Sequence, residues 1–267
     1  MEVHHHPHIP THAKPWKEYV LEGLMIFVAV TLGYGAENIR EHYVETKKAI
    51  VSAKNLYVDV LADSATYHKS LKNRALQDSC YEIVNDLYKK KEINKEMATL
   101  YAAHCQIARR MLPIMNTLAL DEVKNSGTLK YIEDEKLKVE IQRYASMGGG
   151  LKLREQREFN FIDKVIDPIT INNFDYEFFG RISSDNKSFK IINGKMIINI
   201  PVPSNLKIIN EDQLKWQYYF SVLGMLKTIR ESTNKSYIIE TQEQCHKLLS
   251  LLRNYLIEHD ALENNNH

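Results

Sequence analysis

Five histidines, His4, His5, His6, His8 and His12, crowd the start of the chain, and imidazoles at that density can hold Zn, Cu or Ni. No carboxylate or thiol completes a fixed shell, and Pro7 and Pro10 keep the stretch extended. Residues 1–18 are therefore expected to be a His-rich flexible tail, with metal handling by these five residues as the alternative. His104-Cys105 and Cys245-His246 are the other Cys/His neighbours. Adjacent side chains on a helix point about 100° apart, so each pair offers one ligand easily, and packing in a core is the better reading. The acids Glu133-Asp134-Glu135 suit a helix start, where negative charge is favourable. There is no P-loop, GxGxxG after a strand, GxSxG, HExxH or EF-hand loop. Gly148-Gly149-Gly150 has neither the strand nor the Lys-Ser/Thr that a phosphate cradle needs. No residue is nominated for catalysis and no cofactor is implied, so the chain is not expected to be an enzyme.

A single acid stands out for its surroundings. Glu22 is the only charged residue among the 18 from Tyr19 to Ala36. At ~1.5 Å per residue, a helix of that length spans roughly 27 Å, close to the hydrocarbon thickness of a bilayer. A cleaved signal peptide would want a basic start and a small-x-small site; here the segment runs without a turn into ENIREHYVETKKAIVSAKNLYVDVL. An uncleaved transmembrane helix at 19–36, continuing outward as a stalk, is expected; a buried core helix is the rival. On a helical wheel Ala29, Gly33 and Ala36 share the face of Glu22. Small residues let helix backbones approach closely, so this face is expected to meet another membrane helix, from a second copy or a partner subunit. The other role for Glu22 is to reach the headgroups from one turn inside the boundary.

Lys14 and Lys17 precede the span, and Arg40, Lys47, Lys48 and Lys54 follow it. That count would put the large domain in the cytoplasm, yet long domains cross largely regardless of charge. The expectation is an inner-membrane, single-pass protein whose bulk is periplasmic. Lys+Arg of 35 against Asp+Glu of 34 leaves no basic footprint for nucleic acid. Three widely spaced cysteines do not make a disulfide framework.

The elements behind the anchor read as helices. Ala53, Tyr57, Val60, Ser64, Tyr67 and Leu71 form an a/d-like seam. A shorter set follows at Cys80, Ile83, Val84 and Leu87, and Asn94 is expected to cap a helix that runs until Pro113 interrupts it. A turn is expected at Asn125-Ser126-Gly127, then a helix through Leu137, Ile141 and Tyr144 with a break at Gly148-Gly149-Gly150. Pro168 is expected to end the helical pattern. FKIINGKMIINI signals a hairpin turning at Asn193-Gly194, and Asn210 with Gln213 a capping box before the last two helices. The fold class is mainly α: a transmembrane helix continuing into an antiparallel helical bundle with a small β-hairpin insert. Its parts are bundle helices at 37–166, an irregular or hairpin insert at 167–209, two helices at 210–262 and a disordered tail at 263–267.

The VHHHPH tail, the single anchor and the AENIRE exit together resemble an uncharacterised Bacteroidota family of single-pass membrane proteins. A broader single-pass pattern is similar at Glu22, Ala29, Gly33, Asn38 and Glu41, and at Ser126, Gly127, Leu129, Ile132 and Leu137. Gly23 follows the acid here instead of preceding it. The resemblance covers about the first 145 residues. It implies a membrane anchor and a helical extramembrane domain, without an activity. The function expected is a membrane-anchored scaffold, accessory subunit or sensor, with the bilayer and another membrane helix as partners.

Overall fold

The computed structural model describes residues 15–185 and 187–263; it is 77% helix and 3% strand. The five N-terminal histidines and residues 264–267 of the expected tail lie outside the described residues. Helix α1 spans Trp16–Lys89, 74 residues without a break. No proline occurs between Pro15 at its N-cap and Pro113, so nothing removes a backbone donor along that length. The seam ending at Leu71 and the set beginning at Cys80 thus belong to one helix. It stops where Lys91 turns left-handed (φ 57°). Glu92 N–H then donates to Leu87 O at 2.9 Å and Lys91 N–H to Tyr88 O at 3.0 Å, the bond pair of a Schellman ending.

After a 3₁₀ turn at Ile93–Lys95, α2 spans Met97–Ala108 and is almost wholly buried. Asn94 does not cap it, since the helix starts after Glu96, and it ends at Ala108, five residues before Pro113. The chain then descends α1 in extended form, tied by a polar ridge at spacings near one heptad. Gln77 donates to the Gln106 and Arg109 carbonyls (3.0 and 2.8 Å), and Ser70 to the Met111 carbonyl (2.7 Å). Asp63 accepts from Asn116 N–H (3.0 Å), and Asp59 from Ala119 N–H (3.2 Å). Those two acids supply acceptors at the start of α3, Leu118–Asn125, from another helix. Gly127 (φ 73°) makes the turn expected at 125–127.

Helix α4, Glu135–Phe161, begins at Asp134, whose carboxylate accepts from Lys136 and Leu137 N–H. The glycine run does not break it. A Cβ on Gly148 would lie 2.5 Å from Met115 Sδ, and one on Gly150 2.9 Å from the Tyr237 ring. Both glycines make room for neighbours, and packing outweighs their poor helix propensity. Nor does Pro168 end the pattern. A π-turn at Ile162–Ile166 leads into α5, Asp167–Asn173, with Pro168 in its first turn, where a missing N–H costs little. Segment 167–209 therefore carries two short helices, α5 and α6 (Tyr176–Ser184), before β1 (Phe189–Ile192) and β2 (Lys195–Ile198). The strands pair antiparallel with Ile192 opposite Lys195, and Asn193 and Gly194 both have positive φ, as a type I′ turn requires.

Asn210 and Gln213 sit in a turn ahead of the next helix and do not cap it; α7 spans Trp216–Thr233. A second π-turn, Asn234–Ile238, joins it to α8, Ile239–Glu258. The buried apolar residues fall into two clusters. One holds Ala49–Tyr67 of α1 with Leu137–Leu151 of α4 and Ile238–Leu256. The other holds Cys80 and Val84 with α2, Ile162–Phe178 and Tyr219–Leu226.

Candidate functional site: a bare apolar segment joined to a buried ionic layer

The first third of α1 carries Leu24, Phe27, Val30 and Leu32, each more than half exposed. Among the described residues, α1 is the one helix long and apolar enough to cross a membrane, and its apolar window is 0% buried within the chain. Among the described residues nothing packs over that window. Glu22, Ala29, Gly33 and Ala36 are all exposed there, on one face, and a Cβ on Gly33 would meet nothing within 4 Å. Past the segment, Arg40 pairs with Glu37 and Lys48 with Glu45, as i,i+3 pairs on a solvated helix surface do.

Farther along the same helix, charge is buried. Arg74 Nη1 and Nη2 donate to the two carboxylate oxygens of Glu158 at 3.1 and 2.8 Å, and Arg230 Nε donates to Glu158 Oε1 at 3.3 Å. Arg74 and Glu158 are 0% exposed and Arg230 1%. Charges so placed persist only if their remaining donors are satisfied. Arg74 Nε donates to Asn234 Oδ1, and Arg230 Nη2 to the Ile107 carbonyl that closes α2. The second π-turn is what places Asn234 here. Burial pulls the Arg230 guanidinium down to about 10, against the pull of Glu158. Asp78, half-buried near both arginines, is held above the usual carboxylate range by burial. This layer lies between the two apolar clusters, separating Tyr67 from Cys80, Leu151 from Ile162, and Leu226 from Ile238. It ties α1, α4 and α7 together at one level. Sequence reading missed it, although each of the three charged residues continues its helix's seam: Arg74 three after Leu71, Glu158 seven after Leu151, Arg230 four after Leu226.

The Cys/His pairs do not meet. His104 lies in the cluster that holds α2, stacked on Phe174, with Nδ1 2.9 Å from Tyr219 Oη and Nε2 2.7 Å from Thr170 Oγ1. Burial drives its pKa down to about 3, so the ring is neutral. Cys245 lies in the cluster that holds Ala49–Tyr67, beside Tyr144 and Asp63, and burial raises its thiol to about 12. All three cysteines are buried as free thiols. In the first pair the imidazole is bonded at both nitrogens and the thiol is buried, and in the second the thiol is buried while His246 is exposed on the helix surface, so neither pair offers two ligands to one site. Among the described residues no three His, Cys, Asp or Glu side chains gather as metal ligands.

Comparison with known proteins finds no matching family model, no matching curated protein and no matching solved structure, so the geometry alone carries the functional reading.

Proposed function

We propose that the protein is a single-pass, membrane-anchored, non-enzymatic scaffold or accessory subunit. The observation that carries this is the continuity of α1. One unbroken helix is bare and apolar at one end and locked into a helical core at the other. Leaving about ten large apolar side chains in water would cost each of them ~1.5–3 kcal/mol of burial, and a bilayer removes that cost. Around α1 the core helices form an antiparallel bundle, with α7 and α8 running against α1 and α4, and the hairpin lies at the far end. The anchor sits in an inner membrane with the bundle on the periplasmic side. Carbonate washing of membranes holding the full-length protein tests the anchor: it stays in the pellet, and release into the wash overturns the proposal. A reporter enzyme fused at the C-terminus tests the side: activity only outside the cytoplasm is expected, and cytoplasmic activity reverses the orientation.

A further inference from the structure

Among the described residues, the stretch of α1 from Tyr43 to Leu61 is covered on one side. Ala49, Ala53, Leu56 and Val60 are fully buried on that side. On the other, Tyr43, Val51, Val58 and Leu61 are 60, 57, 59 and 51% exposed. Single exposed apolar residues are ordinary on a surface, but these four share a line. Val51 and Val60 are nine residues apart, about two and a half turns, and so point in opposite directions. The same count links the outer line to the anchor. Gly33 and Val51 are 18 residues apart, about five turns; Ala36 and Leu61 are 25 apart, about seven; Ala29 and Val58 are 29 apart, about eight.

We infer that this outer face of α1 is a seam for a second copy of the same chain, the two helices running parallel from within the bilayer to Leu61. The inference rests on the membrane reading above and adds the partner. Three features select a second copy. A shared membrane forces all copies of α1 into the same direction and depth, so each residue of the line meets its equivalent, as two-fold symmetry demands. The core lies on the opposite side and leaves the approach open. The area is also adequate. From Glu22 to Leu61 the line is ~60 Å long, and a contact ~10 Å wide covers ~600 Å² on each copy, or ~1,200 Å² in total, where stable interfaces begin. The extramembrane part alone, nearly two-thirds of that, falls short, so the pair depends on the anchor segment.

The line carries cations too, and they give the seam a signature. Arg40 is held by Glu37, and Lys47 Nζ lies 4.5 Å from the Tyr43 ring centroid. Lys54 is exposed on the same line. In a parallel pair each faces its own equivalent, which opposes association and is screened by salt.

The test is oxidative crosslinking of full-length protein in its membranes, one introduced cysteine at a time; the three native thiols are buried. Val51→Cys and Val58→Cys are expected to give a product of twice the chain mass. Lys48→Cys, exposed but off the line, stays at background. Raising the salt increases the yield, and Lys54→Leu increases it about twofold, the worth of one like-charge pair. In the Val58→Cys background Gly33→Leu lowers the yield several-fold, while Phe27→Leu, across the anchor helix, leaves it unchanged. Equal crosslinking at Lys48→Cys overturns the seam. A product of any other mass overturns the choice of a second copy. No product from protein that stays in the carbonate pellet overturns the pair and spares the anchor, whereas release by carbonate overturns the anchor itself.

Discussion

Replacing Glu158 with leucine removes the carboxylate that both buried arginines share. Three charge-assisted hydrogen bonds vanish, those at 2.8, 3.1 and 3.3 Å, and Arg74 and Arg230 remain charged, adjacent and out of water. Breaking a buried ion pair from one side costs ~3–5 kcal/mol, because the orphaned charge keeps its desolvation penalty. Arg230→Met is milder. It loses one bond to Glu158 and one to the Ile107 carbonyl but orphans no charge, since the two-pronged Arg74–Glu158 pair stays intact. The triple change Arg74→Met, Glu158→Leu, Arg230→Met removes the three fully buried charges together, leaving only half-buried Asp78, and such replacements are often neutral or stabilising by ~1–4 kcal/mol. Urea titration of full-length protein in mild detergent, followed by circular dichroism, ranks the three. At ~2–4 °C per kcal/mol for a domain of this size, Glu158→Leu also lowers Tm by about 6–20 °C. The reasoning fails if Glu158→Leu proves milder than Arg230→Met, or if the triple variant is the least stable.

Further predictions concern acid and glycine. His104 is neutral when folded, with its pKa depressed from 6.5 to about 3, whereas the unfolded chain takes a proton below 6.5. Stability present above pH 6.5 is therefore lost as pH falls toward 3, with a limiting slope of about 1.4 kcal/mol per unit; His104→Gln flattens that part of a stability–pH curve. Burial raises Asp63 and Asp78 instead, so each opposes this loss just above its unfolded value of 3.8, and the decline is shallower there than His104 alone would give. Gly149→Ala, exposed and free of neighbours, raises stability by about 1 kcal/mol, while Gly150→Ala lowers it as its Cβ meets the Tyr237 ring. Thermal melts of the two variants should shift in opposite directions. Gly194→Ala costs roughly 1–2 kcal/mol, because the turn holds that residue at φ 74°, and it is read in the same melts.

How far the fold can be read from sequence depends on how local its cause is. The hairpin was legible because Asn-Gly between β-branched runs sets its own turn. The apolar segment was legible from composition alone. Gly148-Gly149-Gly150 and Pro168 misled, because what keeps their helices unbroken lies elsewhere: Met115 and Tyr237 fill the space over the glycines, and a π-turn precedes the proline. Asn94 and Asn210 have capping chemistry at plausible places, yet the backbone enters each helix two or more residues later. The ionic layer is the sharpest case. Its members are 72 to 156 residues apart, so no spacing joins them, and a charged residue in an amphipathic helix reads by default as solvated. Their seam positions were the available clue. A charge in line with buried apolar residues must have found a partner.

The unbroken course of α1 also fixes a distance. From Ala36 at the end of the apolar segment to Lys89 there are 53 residues, ~80 Å of helix, with no proline or turn at which it could fold back. With the apolar segment in a bilayer, the hairpin end of the molecule is held at a set height above the lipid surface. A neighbour that binds there must itself stand about that tall or be tethered across the gap. On the proposed membrane reading, the length of this helix sets the reach that any such neighbour needs.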